Sequence, residues 1–269
     1  MILLEVFEYE FMNRALIVGV FTAICTAMLG NFVVTARQAI VSDMLAHTAL
    51  VGVGLGIFWQ ISPTYLALCT TIIAAVILWW LSRAEDQAPE AISMLLLTGG
   101  LATALLLTHL QKHNPISLET YLFGSILTIT QSEMWSFIFL STVIAVILIF
   151  FWKTFLTLVF DKGFFKTQPY AIFYEILFMI LIALVVGIGL KVIGGLLIGA
   201  LLVIPVLIAQ SFSKSFRQNV WISVWVNLFA VVAGIFISFY FDAPTSSAIV
   251  LSLIALYVLS KLKGLSLGL

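Results

Sequence analysis

MWSFIFLSTVIAVILIFFW, residues 134–152, runs for nineteen positions without a charged side chain. Crossing a hydrocarbon core of ~30 Å takes about 20 apolar helical residues, because backbone groups there find no water and must bond to one another. Comparable runs recur at 11–35, 44–60, 64–82, 90–108, 170–190, 218–240 and 246–262, and in a glycine-interrupted form at 192–211. The pattern predicts an all-α, polytopic integral membrane protein with eight or nine transmembrane helices, forming one membrane domain over residues 1–269. Residues 192–211 decide the number, since Gly194, Gly195, Gly199 and Pro205 all loosen a helix there. The stretch 116–130 is too short and too polar to cross, and reads as a short interfacial or re-entrant helix.

Composition agrees. With 63% hydrophobic and 9% charged residues, and a mean hydropathy of +1.21, the chain carries more apolar surface than a water-soluble domain of this length can bury. A net charge of zero argues against nucleic acid as a partner. MILLEVFEYEFMNR precedes the first span and is acidic, unlike the basic n-region of a cleaved signal peptide, so that span is expected to be retained. Cys25 and Cys69 fall in apolar runs and read as buried free thiols packed as small hydrophobes.

Basic residues set the orientation. If all nine segments cross with the N-terminus outside, then Arg37, Arg83, Lys153, Lys162, Lys166, Lys214, Arg217, Lys261 and Lys263 lie inside. Only Arg14, Lys112 and Lys191 of the twelve lie outside. That bias favours N-out, C-in, and it depends on 192–211 crossing.

Two motif searches exclude chemistry. No G-x-x-x-x-G-K-[ST] loop occurs, so the chain does not bind ATP by that device. GVGLG at 52–56 lies in mid-membrane with no strand before it. Gly52 and Gly56 there form a small-residue stripe for close helix packing rather than a dinucleotide fingerprint.

SDMLAHTALVGVGLGIF, from residue 42, carries the residues with the most chemical potential. Asp43 and His47 are four apart, hence on one helical face about 6 Å apart along the axis. A carboxylate and a neutral imidazole are acceptable ligands for a divalent transition metal. Ionisable groups inside a membrane are costly to keep and by default mark a functional path. An equally simple reading makes Asp43 a helix cap and His47 a bystander. Two donors do not complete a metal site, but a second copy facing the first across a twofold axis would supply two more of each.

Other groups carry less. His109 and His113 repeat the four-residue spacing at the outer end of a span, where they read as solvated loop histidines or, secondarily, as a metal-capture pair. Glu90, Glu119, Glu133, Lys191 and Asp242 sit near expected helix ends and read as caps or snorkelling side chains. Glu175 is the most interior; it too reads first as a cap or snorkelling side chain, and secondarily as a second polar wall of a pathway. The segment from Lys191 to Arg217 reads as a kinked span with a basic anchor, or as an element that docks another protein.

Four stretches, in order along almost the whole chain, carry a family resemblance. SDMLAHTALVGVGLG resembles the G-D-[AS]-[IL]-[SA]-H-[AS]-x-x-x-G signature of the membrane subunits of zinc, manganese and iron ATP-binding-cassette importers. YLFGSILTIT resembles that family's F-G-[SN]-[IL]-L stretch. KVIGGLLIGALLVIPVLIAQ and FDAPTSSAIVL resemble its V-G-x-L-L-[VI]-x-A-L-L-[VI]-[IL]-P-A-A-[TA]-A and D-x-P-x-G-x-x-I-V-L blocks. Ser42, Met44 and Ser246-Ser247 depart from the usual residues; none removes a ligand position, though Met44 bears on packing around the site and so on metal selectivity.

The resemblance implies a permease that is not an enzyme, working as a homodimer in a bacterial-type inner or plasma membrane. It implies a separate cytoplasmic ATPase that uses the ATP, no cofactor on this chain, and an extracytoplasmic metal-binding protein that delivers the cargo. The 191–217 region would contribute to the ATPase contact. Asp43 and His47 would contact the transported metal, zinc first, with manganese or iron as alternatives. His47 would ligate only when neutral, which ties capture to pH above about 6.5, the ordinary pKa of histidine. Two other classes compete: an ATP-independent carrier or channel, and an intramembrane enzyme using Asp43 and His47 as an acid–base pair. The latter lacks a third metal ligand, a nucleophile and a substrate-sized polar loop.

Overall fold

The structure, a computed structural model, describes residues 9–84, 89–110, 118–124 and 129–266. Among them are α1 (Glu10–Thr35), α2 (Ala39–Trp59), α3 (Pro63–Ala84), α4 (Pro89–His109), α5 (Leu118–Phe123) and α6 (Gln131–Phe150). Then come α7 (Trp152–Phe160), α8 (Lys162–Lys166), α9 (Ala171–Val192), α10 (Gly195–Gln210), α11 (Phe216–Phe241) and α12 (Thr245–Ser266), with no strand among the described residues. Eight of these, α1 to α4, α6, α9, α11 and α12, are long and apolar enough to cross a membrane. Short links make sequence neighbours antiparallel. The links after α1, α2 and α11 turn through Arg37, Gln60 and Asp242, each with φ between 49° and 59°.

α10 resolves the count. Its 16 residues extend about 24 Å, short of a ~30 Å hydrocarbon core. The deficit is covered from the other end by α5 and Gly124. Gly194 (φ +94°) and Gly124 (φ +63°) lie backbone to backbone, so a Cβ on either would strike the other strand of the contact. The short helix nonetheless returns the chain to the end where α1 finishes. Beyond it, Ser213 Oγ donates to Asn219 Oδ1 (3.0 Å), Asn219 Nδ2 donates to Asn31 Oδ1 (2.6 Å), and Lys261 Nζ donates to Ser211 Oγ (3.1 Å). Nine segments therefore alternate direction, and the described basic residues expected inside gather at one end, which the positive-inside rule makes cytoplasmic.

α1 and α2 form the centre of the bundle. Of the α2 span 72% is buried, against 22% for α4. Lipid is as apolar as leucine, so close backbone approach and polar contacts must hold such helices together. Gly52 and Gly56 serve as the sequence predicts: Gly52 lies on the backbone of Leu66 and Ala67, and Gly56 on Pro63, seating α2 against α3. Buried Asn227 of α11 donates to the carbonyls of Ala23 (3.0 Å) and Leu201 (3.3 Å) and to Thr26 Oγ1 (2.9 Å), tying α1, α10 and α11. Gly30 on α1 meets the backbone of Leu202 so closely that an added Cβ would force one helix outward. Gly30→Ala is expected to cost about 1–3 kcal/mol, lowering the thermal midpoint in detergent. Gly99→Ala, with nothing within 4 Å of its Cβ, should leave it unchanged. Equal midpoints for the two variants would refute the α1–α10 contact.

Candidate metal site

α2 starts at Ala39 rather than near residue 44, because Arg37 in the left-handed region ends the turn and the apolar run from Ala39 continues it. Gln38 is the N-cap and makes no side-chain cap bond. Asp43 thus lies in the second turn, beyond the free N–H groups of the helix start, and its capping role is excluded. Asp43 and His47 stand about 6 and 12 Å along the axis from Ala39, within the cytoplasmic half of the span.

Their face is what distinguishes them. Ile40, Asp43, His47, Val51 and Leu55 retain solvent exposure, and the spacing 3, 4, 4, 4 makes them one stripe. The other residues from Val41 to Gly56 are buried against α3, α4, α5, α9 and α10. Asp43 is the most open of the stripe and forms no ion pair among the described residues. His47 is half-buried, and its Nδ1 is sealed from solvent with no hydrogen-bond partner among the described residues. An unpaired buried polar atom costs about 1–3 kcal/mol. Neighbouring Ser42 turns its hydroxyl to the Ala39 carbonyl (2.7 Å), and Met44 is fully buried in the main core. The departure at Met44 therefore points away from the acid.

α10 supplies the second wall. It runs against α2, with Gly195 at Ala46 and Gly199 at Asp43. A Cβ at Gly199 would fall on Asp43 Oδ1, with the carboxyl carbon at 3.3 Å and Ser42 Oγ at 3.7 Å. Ala200, Val203, Ile204 and Leu207 of the same helix are also incompletely covered. Sequence reasoning flagged Gly199 only as a loosening residue; its role here is space for a carboxylate.

The remaining assignments divide. Glu175 lies in the second turn of α9 at the basic end, where Oε2 accepts from Trp79 Nε1 (3.0 Å) and Arg83 Nη1 (3.1 Å), which fits its reading as an end anchor. Glu133 closes a capping box with Thr130 at the start of α6. Cys25 is buried as expected, whereas Cys69 is exposed on α3. His109 is exposed at the end of α4, and His113 lies outside the described residues. No three His, Cys, Asp or Glu side chains cluster as a complete metal site among the described residues.

Known proteins share this chain and fold. It is 30% identical over 259 residues to the high-affinity zinc uptake system membrane protein ZnuB of Buchnera aphidicola subsp. Schizaphis graminum, covering 96% of this chain and 99% of the relative. The manganese transport system membrane protein MntC of Halalkalibacterium halodurans is 22% identical, with 95% and 88% covered. The structure of PsaBC from Streptococcus pneumoniae in complex with Fab superimposes with a TM-score of 0.82 at 25% identity, covering 94% of this chain and 91% of that one. With the profile of the ABC 3 transport family matching residues 8–264, the chain belongs to that family.

Proposed function

We propose that this chain is the membrane-spanning subunit of an ATP-binding-cassette importer that moves a divalent transition metal into the cytoplasm of a bacterial-type cell. Zn²⁺ is the first expected cargo, with Mn²⁺ or Fe²⁺ as alternatives. The observation that carries this reading is the open stripe of α2: the uncovered face of the most buried span presents an acid that makes no ion pair and an imidazole whose Nδ1 has no hydrogen-bond partner among the described residues. Zinc uptake and manganese transport, named for the relatives, are chemistries that a carboxylate–histidine pair serves.

One protomer offers two donors, and a transition metal takes four or more. A second copy related by a twofold axis, stripe to stripe, brings two Asp and two His to one path. Such a site, open to water and shared between subunits, favours passage over storage. Asp43 and His47 replace part of the ion's hydration shell when an extracytoplasmic binding protein delivers it, and closure of the ATPase reorients the helices. The ATPase is a separate subunit, since this chain has no phosphate-binding loop. Most of 191–217 is inside the bundle, so only its end reaches the cytoplasmic surface, where Phe212 and Lys214 are exposed. Exposed Lys162, Phe164 and Lys166 of α8 share that end and extend the docking surface.

Vesicles containing this chain, the ATPase and the binding protein test the reading. ⁶⁵Zn²⁺ or ⁵⁴Mn²⁺ should accumulate only when ATP is supplied on the ATPase side. Accumulation that persists without the ATPase would replace the importer with a carrier or channel.

A further inference from the structure

Apart from the Asp43 stripe, none of whose residues line it, α1, the end of α6, the start of α7 and α11 form a groove of about 990 Å³. Its walls are Ile24 and Met28 of α1, Phe150 and Trp152, and Val220, Trp221, Val224, Trp225 and Leu228 of α11. Trp221 and Trp225 are 59% and 68% exposed. Two cations, Lys153 and Arg217, stand with Thr154 at its cytoplasmic mouth. Neither makes an ion pair or a side-chain hydrogen bond with the described residues.

We propose that this groove is a site for one anionic phospholipid of the cytoplasmic leaflet, its phosphate between Lys153 and Arg217 and an acyl chain along α11. Three features select that occupant. The groove is apolar along its length and cationic only at one end, which is the polarity of a phospholipid. Its depth fits one leaflet: Arg217 to Leu228 is about 16 Å of helix, close to half of a ~30 Å hydrocarbon core. Its cations lie on the cytoplasmic side, where anionic headgroups attract Lys and Arg, and its tryptophans belong to the interface belt. At roughly fivefold enrichment per cation, the pair concentrates an anionic headgroup about 25-fold over a zwitterionic one at low salt. The proposal is independent of the transported ion, and no lining residue belongs to the metal path; Arg217 alone is shared with the 191–217 region, at its last residue.

The groove's own tryptophans report the test. Full-length protein is reconstituted in phosphatidylcholine vesicles doped with brominated phosphatidylglycerol or, in parallel, brominated phosphatidylcholine. Half-maximal quenching is expected at a mole fraction at least about fivefold lower for the anionic lipid, with the preference shrinking as salt rises. Lys153→Gln with Arg217→Gln should abolish the preference, and Lys153→Arg with Arg217→Lys should restore it. Trp221→Phe with Trp225→Phe should remove most of the excess quenching. Equal quenching by the two lipids, or protection from both by a second copy seated in the groove, would overturn the proposal. So would a preference that survives loss of the cations, or one undiminished when all three groove tryptophans, Trp152, Trp221 and Trp225, are replaced by Phe.

Discussion

Cells making His47→Ala with the native ATPase and binding protein are expected to lose saturable metal uptake by at least 10–100-fold at equal membrane expression. The lower bound follows from metal sites in which even groups that merely orient a ligand contribute that much to affinity. His47 carries a buried Nδ1 without a partner among the described residues, so removing the imidazole costs no hydrogen bond there, and the protein should fold. Thermal midpoints of variant and parent in detergent check that separation. Asp43→Asn should show the same pattern, because the carboxylate is exposed and makes no ion pair with the described residues. A neutral imidazole is the ligating form, so in the parent uptake should fall as the medium is acidified. Uptake unchanged by His47→Ala, and equally fast at pH 5.5 and 7.5, would return His47 to an ordinary helix-face residue.

Gly199→Ala is the second large effect, and it comes from a residue that touches no metal. The new Cβ would occupy the place of Asp43 Oδ1, forcing the carboxylate off its position beside α10. Asp43 faces an open stripe, so it can swing away; the cost appears in metal affinity, on the order of tenfold, rather than in stability, where a shift within about 0.5 kcal/mol is expected. Gly30→Ala makes the contrasting case, since its Cβ meets the Leu202 backbone, which has nowhere to turn. The measurement is the concentration giving half-maximal uptake for each variant, set beside its unfolding midpoint. If Gly199→Ala unfolds the protein, or transports with parental affinity, the positioning role is wrong.

Much of this was legible beforehand because the bilayer imposes length and polarity on each span separately. The eight long helices, the small-residue packing of Gly52 and Gly56, and the gathering of Arg37, Arg83 and Lys153 at one end are properties of local runs. The Asp43–His47 spacing was visible for the same reason, since a period of 3.6 assigns a face without knowing the neighbours. What that period could not tell was which face of α2 the other helices would leave open. Glu175 shows the reverse: read alone it looked interior, yet Arg83 and Trp79, more than ninety positions away, make it an anchor at the cytoplasmic end.

The sequence alone determined that this is a polytopic helical membrane protein carrying one acid–imidazole pair, because hydropathy and helical period act within a single segment. Only the tertiary structure decided that α10 completes its crossing with the help of α5, that Gly199 leaves room for Asp43, and that the pair lies on the uncovered stripe of the most buried span. Each of these depends on how closely backbones distant in sequence approach one another, and in a bilayer, where apolar side chains prefer no one neighbour over lipid, that approach is set by small residues and packing between helices.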